Sequence, residues 1–201
     1  MTADSSRTVV LPAPAASLCL GFANTRYWRG RAEPTETLAA LPDLLDWAER
    51  NAGTPRDALA PWHEIAADTL LASALALRET LYRVFRAVAD GAEPAAADLA
   101  ALNQALARAP RRDHLVRAES GHAWRIQLFE PGLVSLLAPV LWSAGDLLAG
   151  AAHRHVRRCA NDECVWLFLD ESRNGTRRWC DMSSCGNRAK ARRHYHRIKQ
   201  G

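Results

Sequence analysis

Four cysteines in the last quarter of the chain have the spacing of a metal site. They form two close pairs, Cys159 with Cys164 and Cys180 with Cys185, separated by 15 residues. Such a spacer lets the chain fold back, so that both pairs offer their thiolates to one ion. Four thiolates favour Zn²⁺ over hard cations and leave no open coordination position for a reaction. The spacing therefore predicts one structural zinc ion.

Other side chains near this cluster could compete as ligands. Two histidines precede it, His153 and His155, and two follow it, His194 and His196. A histidine could replace one cysteine, but four cysteines already complete a tetrahedron. The fifth cysteine, Cys19, lies on an apolar stretch and is interpreted as a small buried residue. An accidental group of free thiols is the alternative to a metal site.

The segment around the cysteines is strongly basic. Residues 153–201 contain 12 Lys and Arg against 5 Asp and Glu, a net charge of +7, whereas the other 152 residues carry 14 against 17, a net charge of −3. A basic tail on a slightly acidic body is typical of a module that binds a polyanion.

The elements around the cysteines predict a treble-clef zinc finger. A knuckle spans Cys159–Cys164, and a strand at Val165–Asp170 is expected to pair with a returning strand at Thr176–Cys180. The turn between them is Asn174-Gly175. A final helix would begin near Asp181 and Ser183 and run through Gly186–Lys199.

Helical spacing divides this final helix into two faces. The inward face is expected to pack on Trp166, Phe168 and Trp179, and it comprises Ser184, Asn187, Ala191, Tyr195 and Ile198. The basic residues predicted to bind DNA are Arg177, Arg178, Arg188, Lys190, Arg192, Arg193, Arg197 and Lys199. The alternative is a solvated helix, which the scarcity of nearby acidic residues disfavours.

The preceding residues predict a mainly α-helical N-terminal domain, 1–150, with the finger at 151–201. A short strand at Val9–Leu11 is followed by expected helices at Ala15–Asn24, Leu38–Asn51, Pro61–Asp90, 94–110 and Gly132–Ala149. Pro42 could split the second of these helices. Apolar and polar residues alternate around Trp124–Leu128, and a turn at Glu119–His122 leads back to a first strand at Asp113–Ala118. This pattern predicts a β-hairpin. The fold class is therefore α+β.

The N-terminal domain offers one candidate ligand site. Arg78 lies on the apolar stripe of the longest helix, so its charge needs either a structural partner or an anionic ligand. Asn24, Thr25 and Trp28 could join Arg78 around a pocket. No catalytic motif is complete, because His63-Glu64 lacks the second histidine of a metalloprotease helix. We therefore expect no enzyme activity.

The C-terminal segment closely resembles the CGNR zinc-finger family. The resemblance rests on 167–173, on Arg177–Met182 and on the run Cys185-Gly-Asn-Arg that continues to Lys190, and it covers about residues 155–199. It implies zinc binding by the four cysteines and a DNA-binding module. Val165 departs from the pattern, because knuckles of this kind commonly have glycine there.

The N-terminal domain resembles the ABATE domain that accompanies such fingers. The motifs are Phe22-Ala-Asn-Thr25, Leu44-Leu-Asp-Trp47 and 77–82. The resemblance implies a bacterial, stress-linked transcription regulator whose N-terminal domain senses a small ligand. The alternatives are an RNA- or protein-binding zinc module, or an enzyme acting on a small anion.

Compartment and assembly follow from weaker signals. Cysteines in metal spacing suit a reducing compartment, and no apolar run approaches the roughly 18 residues that cross a bilayer, so we expect a cytoplasmic protein. Residues Ala13–Ala23 are interpreted as mature protein rather than a signal peptide. One finger seldom provides enough specificity, which favours a homodimer.

Overall fold

The protein is described by a computed structural model that covers residues 7–60, 67–119, 121–128, 132–191 and 195. The strands are β1 (Arg7–Leu11), β2 (Arg26–Tyr27), β3 (Thr35–Glu36), β4 (Leu115–Ala118), β5 (Gly121–Leu128), β6 (Val156–Arg158) and β7 (Leu167–Leu169). The helices are α1 (Leu18–Ala23), α2 (Leu41–Ala52), α3 (Arg56–Leu59), α4 (Ala67–Ala89), α5 (Ala96–Arg108), α6 (Leu133–Leu136) and α7 (Ala138–Ala149). A 3₁₀ turn at Ala151–His155 precedes β6, and a π-helical turn at Met182–Gly186 leads into helical residues 187–191.

Helix α7 is largely buried in the N-terminal body, which we define as the residues up to 150. It packs against α1 and α5, and α4 packs against α1, α2 and α5. Most of the side chains of α7 are buried, including Leu141 and Trp142. Its one buried hydroxyl, Ser143, donates to the carbonyl oxygens of Ala15 and Ala16 and accepts from the Cys19 backbone N–H at 3.0 Å. This hydroxyl therefore satisfies backbone groups just before and within α1.

A three-stranded antiparallel sheet in the order β1-β5-β4 closes one side of the body. The predicted hairpin is confirmed as β4 and β5, with Leu115 opposite Trp124. The predicted strand at Val9–Leu11 is also present, but its pairing with β5 was not predicted. Val9 and Leu11 of β1 and Ile126 of β5 place their side chains in the core, so the sheet is held by one apolar face.

The helix boundaries follow local backbone chemistry. Pro42 lies in the first turn of α2 and does not split it, because a missing N–H costs nothing there. Gly53 ends α2 in the left-handed region with φ 68°. The predicted helix at 132–149 is instead two helices that meet at Leu137, because Pro139 lies in the first turn of α7. The helix predicted from Pro61 is observed as α4 from Ala67, and residues 61–66 lie outside the described part.

The C-terminal segment, which we call the finger and define as residues from 151 on, shares the core of the body. Strands β6 and β7 pair with each other and contact α4. The buried side chains of Val156 and Leu167 belong to the same apolar cluster as Phe22 and Phe85. No helix of the described residues is both long and apolar enough to cross a lipid bilayer.

Candidate metal centre and its connection to the body

The four cysteines of the finger converge on one point. Cys159 follows β6, Cys164 ends the knuckle, Cys180 lies in a loop and Cys185 lies in the π-helical turn. Their Sγ atoms all lie within 4.8 Å of one another, with 3.7 Å between Cys164 and Cys180 and 3.8 Å between Cys180 and Cys185. A tetrahedron of Zn–S bonds of about 2.3 Å has sulfur–sulfur edges of about 3.8 Å. The cluster therefore fits one structural zinc ion.

The thiols and the surrounding amide groups suit a bound dication. Hydrogen bonds from Cys164 and Cys180 lower the pKa of Cys159, and hydrogen bonds from Cys180 to Cys159 and Cys164 raise the pKa of Cys180 because its proton is shared with them. A divalent ion would displace these shared protons. The buried side chain of Asn161 donates from Nδ2 to Cys185 Sγ at 3.5 Å and accepts from the Glu163 N–H through Oδ1. It thereby fixes one ligand and the knuckle together.

The knuckle contains a valine where the backbone favours glycine. The N–H groups of Cys164 and Val165 both donate to the Asn161 carbonyl oxygen, at 2.8 and 3.0 Å. This tight turn places Val165 at φ 49°, in the left-handed region. A β-branched residue is disfavoured there. The sequence departure at Val165 is thus accommodated by a strained backbone rather than by a different turn.

At Val165, glycine is expected to stabilise the protein more than alanine, the reverse of the order at ordinary helix and strand positions. The free energy of unfolding of the Val165→Gly variant should be about 1 kcal/mol larger than that of Val165→Ala, because only glycine occupies this backbone region without steric cost. Alanine is the more stable choice at ordinary strand and helix positions. Urea unfolding of the two zinc-loaded variants measures the difference. An advantage for alanine would show that this turn relaxes.

The predicted hairpin of the finger is wrong in its pairing. Strand β7 pairs with β6, which precedes the knuckle, and residues 176–180 form no strand. The backbone groups expected to form the returning strand have other partners. Arg177 N–H donates to the Asp170 carboxylate at 3.0 Å, and the Arg178 carbonyl oxygen accepts from Ala160 N–H at 2.9 Å. Strand β6 was missed because it is only three residues long and two of them are arginines.

The predicted inward face of the last helix is also wrong. Asn187, Ala191 and Tyr195 are exposed, whereas Cys185 and Ala189 are buried. The π-helical turn at Met182–Gly186 explains the shift, because its wider backbone rotates the following residues relative to an ideal helix. Asn187 donates to the Ser183 carbonyl oxygen at 3.1 Å, inside its own helix. Ile198 lies outside the described residues.

Polar contacts hold the finger to the body at several points. The Asn24 side chain bonds both backbone groups of Leu167, donating to its carbonyl oxygen at 2.7 Å and accepting from its N–H at 3.0 Å. Tyr82 of α4 donates to the Val165 carbonyl oxygen at 3.0 Å. Gly30 N–H donates to the Glu163 carbonyl oxygen at 3.1 Å. Asn24, predicted to bind a ligand, is therefore already bonded to the finger.

Comparison with known families decides the affiliation of this chain. A family model described as "ABATE: Putative stress-induced transcription regulator" matches residues 16–151, about two thirds of the chain, and a second model, the CGNR zinc finger, matches residues 155–198. The chain belongs to the ABATE family. No curated protein matches it. The resemblance to both families is thus confirmed, as are the expected metal and the α+β fold class.

In this ABATE-family chain, half of the basic residues predicted to bind DNA lie in the described part. Arg177, Arg178, Arg188 and Lys190 are all exposed. Arg177 lies over the Phe168 ring at 4.6 Å and donates to the carbonyl oxygens of Trp179 and Cys180, so it also fixes a metal ligand. The predicted residues outside the described part are Arg192, Arg193, Arg197 and Lys199.

Arg78 of the ABATE body is itself buried and belongs to a partly exposed ionic cluster. Its guanidinium bonds both carboxylate oxygens of Glu36, at 2.5 and 2.7 Å, and one oxygen of Glu79. Arg29 donates to both carboxylate oxygens of Glu79, sharing Oε1 with Arg78, and lies over the Tyr82 ring at 4.0 Å. Burial opposes ionisation of Glu36 and Glu79, but the arginines outweigh it and lower the pKa of both carboxyl groups. A structural carboxylate thus satisfies Arg78.

In the Arg78→Met variant, the free energy of unfolding is expected to depend less on pH in the acid range than it does in the native chain. The pKa values of Glu36 and Glu79 lie below 4.5 in the folded state, so their stabilisation is present above pH 4.5 and is lost as pH falls through the folded pKa. Near neutral pH the variant should lose about 2 kcal/mol, since Glu36 remains partly exposed to water, and the gap should close as pH falls through the folded pKa of the two carboxyl groups.

Urea unfolding at several pH values measures this difference. Arg83→Met is the matched control, because Arg83 pairs with Asp98 at 2.6 Å on the surface. Its loss should change the free energy of unfolding by less than about 1 kcal/mol. If the free energy of unfolding changed with pH in the same way in the native chain and in Arg78→Met, Arg78 would not be responsible for the lowered pKa values of Glu36 and Glu79.

A separate groove lies between α1, α2 and the finger. Its volume is about 490 Å³, and its lining includes Asn24, Thr25, Trp47, Arg50 and Trp166. Two of the predicted ligand-site residues, Asn24 and Thr25, thus face this groove. The other two do not line it: Arg78 is held by Glu36, and Trp28 lies against the cysteine cluster.

Proposed function

We propose that this chain is a zinc-dependent, DNA-binding transcription regulator whose N-terminal body senses a small ligand. The observation that carries the proposal is the fixed position of exposed cations beside a four-cysteine metal centre. Arg178, Arg188 and Lys190 are exposed within ten residues of a cysteine ligand. The regulator description of the ABATE family and the net charge of the finger support the same conclusion.

The metal would act by ordering the cationic surface. Cys180 and Cys185 bracket the start of the last helix, so a bound ion fixes the direction of this helix relative to the knuckle. The described part of the chain contains no carboxylate paired with Arg178, Arg188 or Lys190. Phosphate groups of DNA would supply the missing negative charge and release counterions.

Salt dependence of DNA binding tests this function. Six phosphate contacts are expected to give a log–log slope of the binding constant against salt of about −5. Lys190→Ala should make this slope shallower by about 1. Arg56→Ala should leave the slope unchanged, because Arg56 of α3 is already paired with Glu49 of α2, outside the finger. Fluorescence anisotropy of a labelled duplex measures the slope, and binding that ignores salt would refute the proposal.

The sensing role is assigned to the groove beside Asn24. A ligand there would touch both Trp47 of the body and Trp166 of the finger, so its binding would depend on how the two are docked. A thermal-shift screen of small metabolites identifies such a ligand if its effect disappears in Arg50→Ala. Arg50 is exposed and lines the groove, so this variant should fold normally. A ligand effect that survives the substitution would exclude this groove.

A further inference from the structure

Two guanidinium groups from different parts of the chain meet on one indole ring. Arg31 of the body lies 4.1 Å from the centre of the Trp28 ring, and Arg188 of the finger lies 4.6 Å from it. Trp28 itself packs against the cysteine cluster and has φ 53°, in the left-handed region. A bulky residue in this backbone region signals a position maintained by its surroundings, often for a function.

The charges at this ring are not balanced. Arg31 donates to one oxygen of Glu163 at 2.9 and 3.0 Å, and both side chains of this pair are about half exposed. Arg188 has no paired carboxylate in the described part of the chain. Two cations on one ring, with Glu163 as the one carboxylate paired with them in the described part of the chain, leave a net positive charge that favours an anion. Guanidinium groups bind phosphate through two parallel hydrogen bonds, so a phosphate group suits this pair.

An aromatic slot shares the Trp28 side of the molecule with the two guanidinium groups, which contact the ring of that residue. Its volume is about 170 Å³, and its walls are Tyr27, Trp28, Trp166, Ser184 and three of the cysteines. Tyr27 and Trp166 pack edge to face with 5.3 Å between ring centres, and Tyr27 remains 39% exposed. The slot is smaller than the roughly 300 Å³ of sites for drug-sized ligands. It suits a single planar ring system.

We propose that this slot and the guanidinium pair bind one nucleotide of single-stranded DNA. The base would lie against Tyr27 and Trp166, and its phosphate would accept hydrogen bonds from the guanidinium groups at Trp28. A base inside a duplex is stacked and paired, so only a base that has left the stack can enter the slot. The inference rests on the proposed DNA-binding function, and it adds a body segment, Tyr27–Arg31, to the binding surface.

Labelled oligonucleotides of equal length test the slot, and the normal and abasic single strands also carry equal charge. Fluorescence anisotropy at one salt concentration compares the zinc-loaded full chain on single-stranded DNA, on the same backbone with abasic sites, on duplex DNA and on single-stranded RNA. A stacked base contributes enough that the base-containing DNA strand should bind about 5- to 100-fold more tightly than the abasic strand. Tyr27→Ala should remove most of this difference, and Tyr27→Phe should retain it.

The contribution of the two arginines is measured separately from that of the aromatic rings, by the affinity for both strands. Arg31→Ala and Arg188→Ala should each weaken binding of both the normal and the abasic DNA strand, because they act on the phosphate. Arg56→Ala is the matched surface control, and zinc content with the melting temperature verifies the fold of each variant.

Each outcome bears on a different claim. Equal affinity for the normal and abasic DNA strands, with duplex binding intact, overturns the slot and leaves the proposed function standing. A base-dependent gain on RNA alone overturns the assignment to DNA. The absence of binding to every oligonucleotide overturns both proposals.

Discussion

Cys185→Ser is expected to abolish stoichiometric zinc binding and to destabilise the whole chain, not only the finger. Strands β6 and β7 contribute Val156 and Leu167 to the core of the body, and Asn24 bonds to Leu167. Structural zinc contributes about 10–16 kcal/mol in small fingers, comparable to the total stability of a domain. We expect the melting temperature to fall by at least about 15 °C.

Zinc analysis by atomic emission and thermal unfolding by circular dichroism measure the effect. Cys19→Ala is the matched control, because Cys19 is a fully buried thiol in the core of the body and not a member of the cluster, and burial raises its pKa to about 12. This variant should keep one zinc per chain and lose about 1 kcal/mol. If Cys185→Ser lost zinc and the helices of the body melted at an unchanged temperature, the shared core would not couple the two parts.

Gly30→Ala is expected to separate the loop 28–34 from the knuckle. A Cβ atom at Gly30 would lie 1.7 Å from the Asp162 carbonyl oxygen and 2.9 Å from the Glu163 Cα, both backbone atoms. Because backbone cannot rotate away as a side chain can, the hydrogen bond from Gly30 N–H to Glu163 should break. We expect a loss of about 3 kcal/mol in the free energy of unfolding.

Gly21→Ala provides the opposite control. Gly21 lies within α1, and a Cβ atom at this position would meet no neighbouring atom within 4 Å. Alanine in a helix is favoured over glycine by about 0.5–1 kcal/mol, so this variant should be more stable than the native chain. Urea unfolding compares the two. Equal stability of both alanine variants would show that the knuckle can shift away from residue 30 at little cost.

The metal centre was predictable because its information is local. The spacing of four cysteines limits where the chain can place them, and the structure brings all four sulfurs together. The longest helix was predictable for the same reason, since Leu70, Ala74, Leu77 and Leu81 repeat at helical steps and are all buried. Local periodicity and spacing determine these elements independently of distant residues.

The predictions that were wrong involve contacts between residues distant in the sequence or an irregular backbone. Asn24 is 143 positions from its partner Leu167, and no local pattern distinguishes an asparagine that bonds a backbone from one that binds a ligand. The inward face of the last helix was misplaced because a π-helical turn breaks the 3.6-residue period. Tyr82 did carry a signal: a tyrosine on a buried stripe needs a partner for its hydroxyl, here Val165.

The shared hydrophobic core makes the finger a poor candidate for transplantation. Cutting the chain after Gly150 would leave α1 and α4 with a bare apolar patch where Val156 and Leu167 had packed, and would leave Asn24 and Tyr82 without their backbone partners. The excised fragment would in turn lose the support for its strained knuckle. A chimera that joins this finger to an unrelated protein should therefore aggregate more readily than the intact chain.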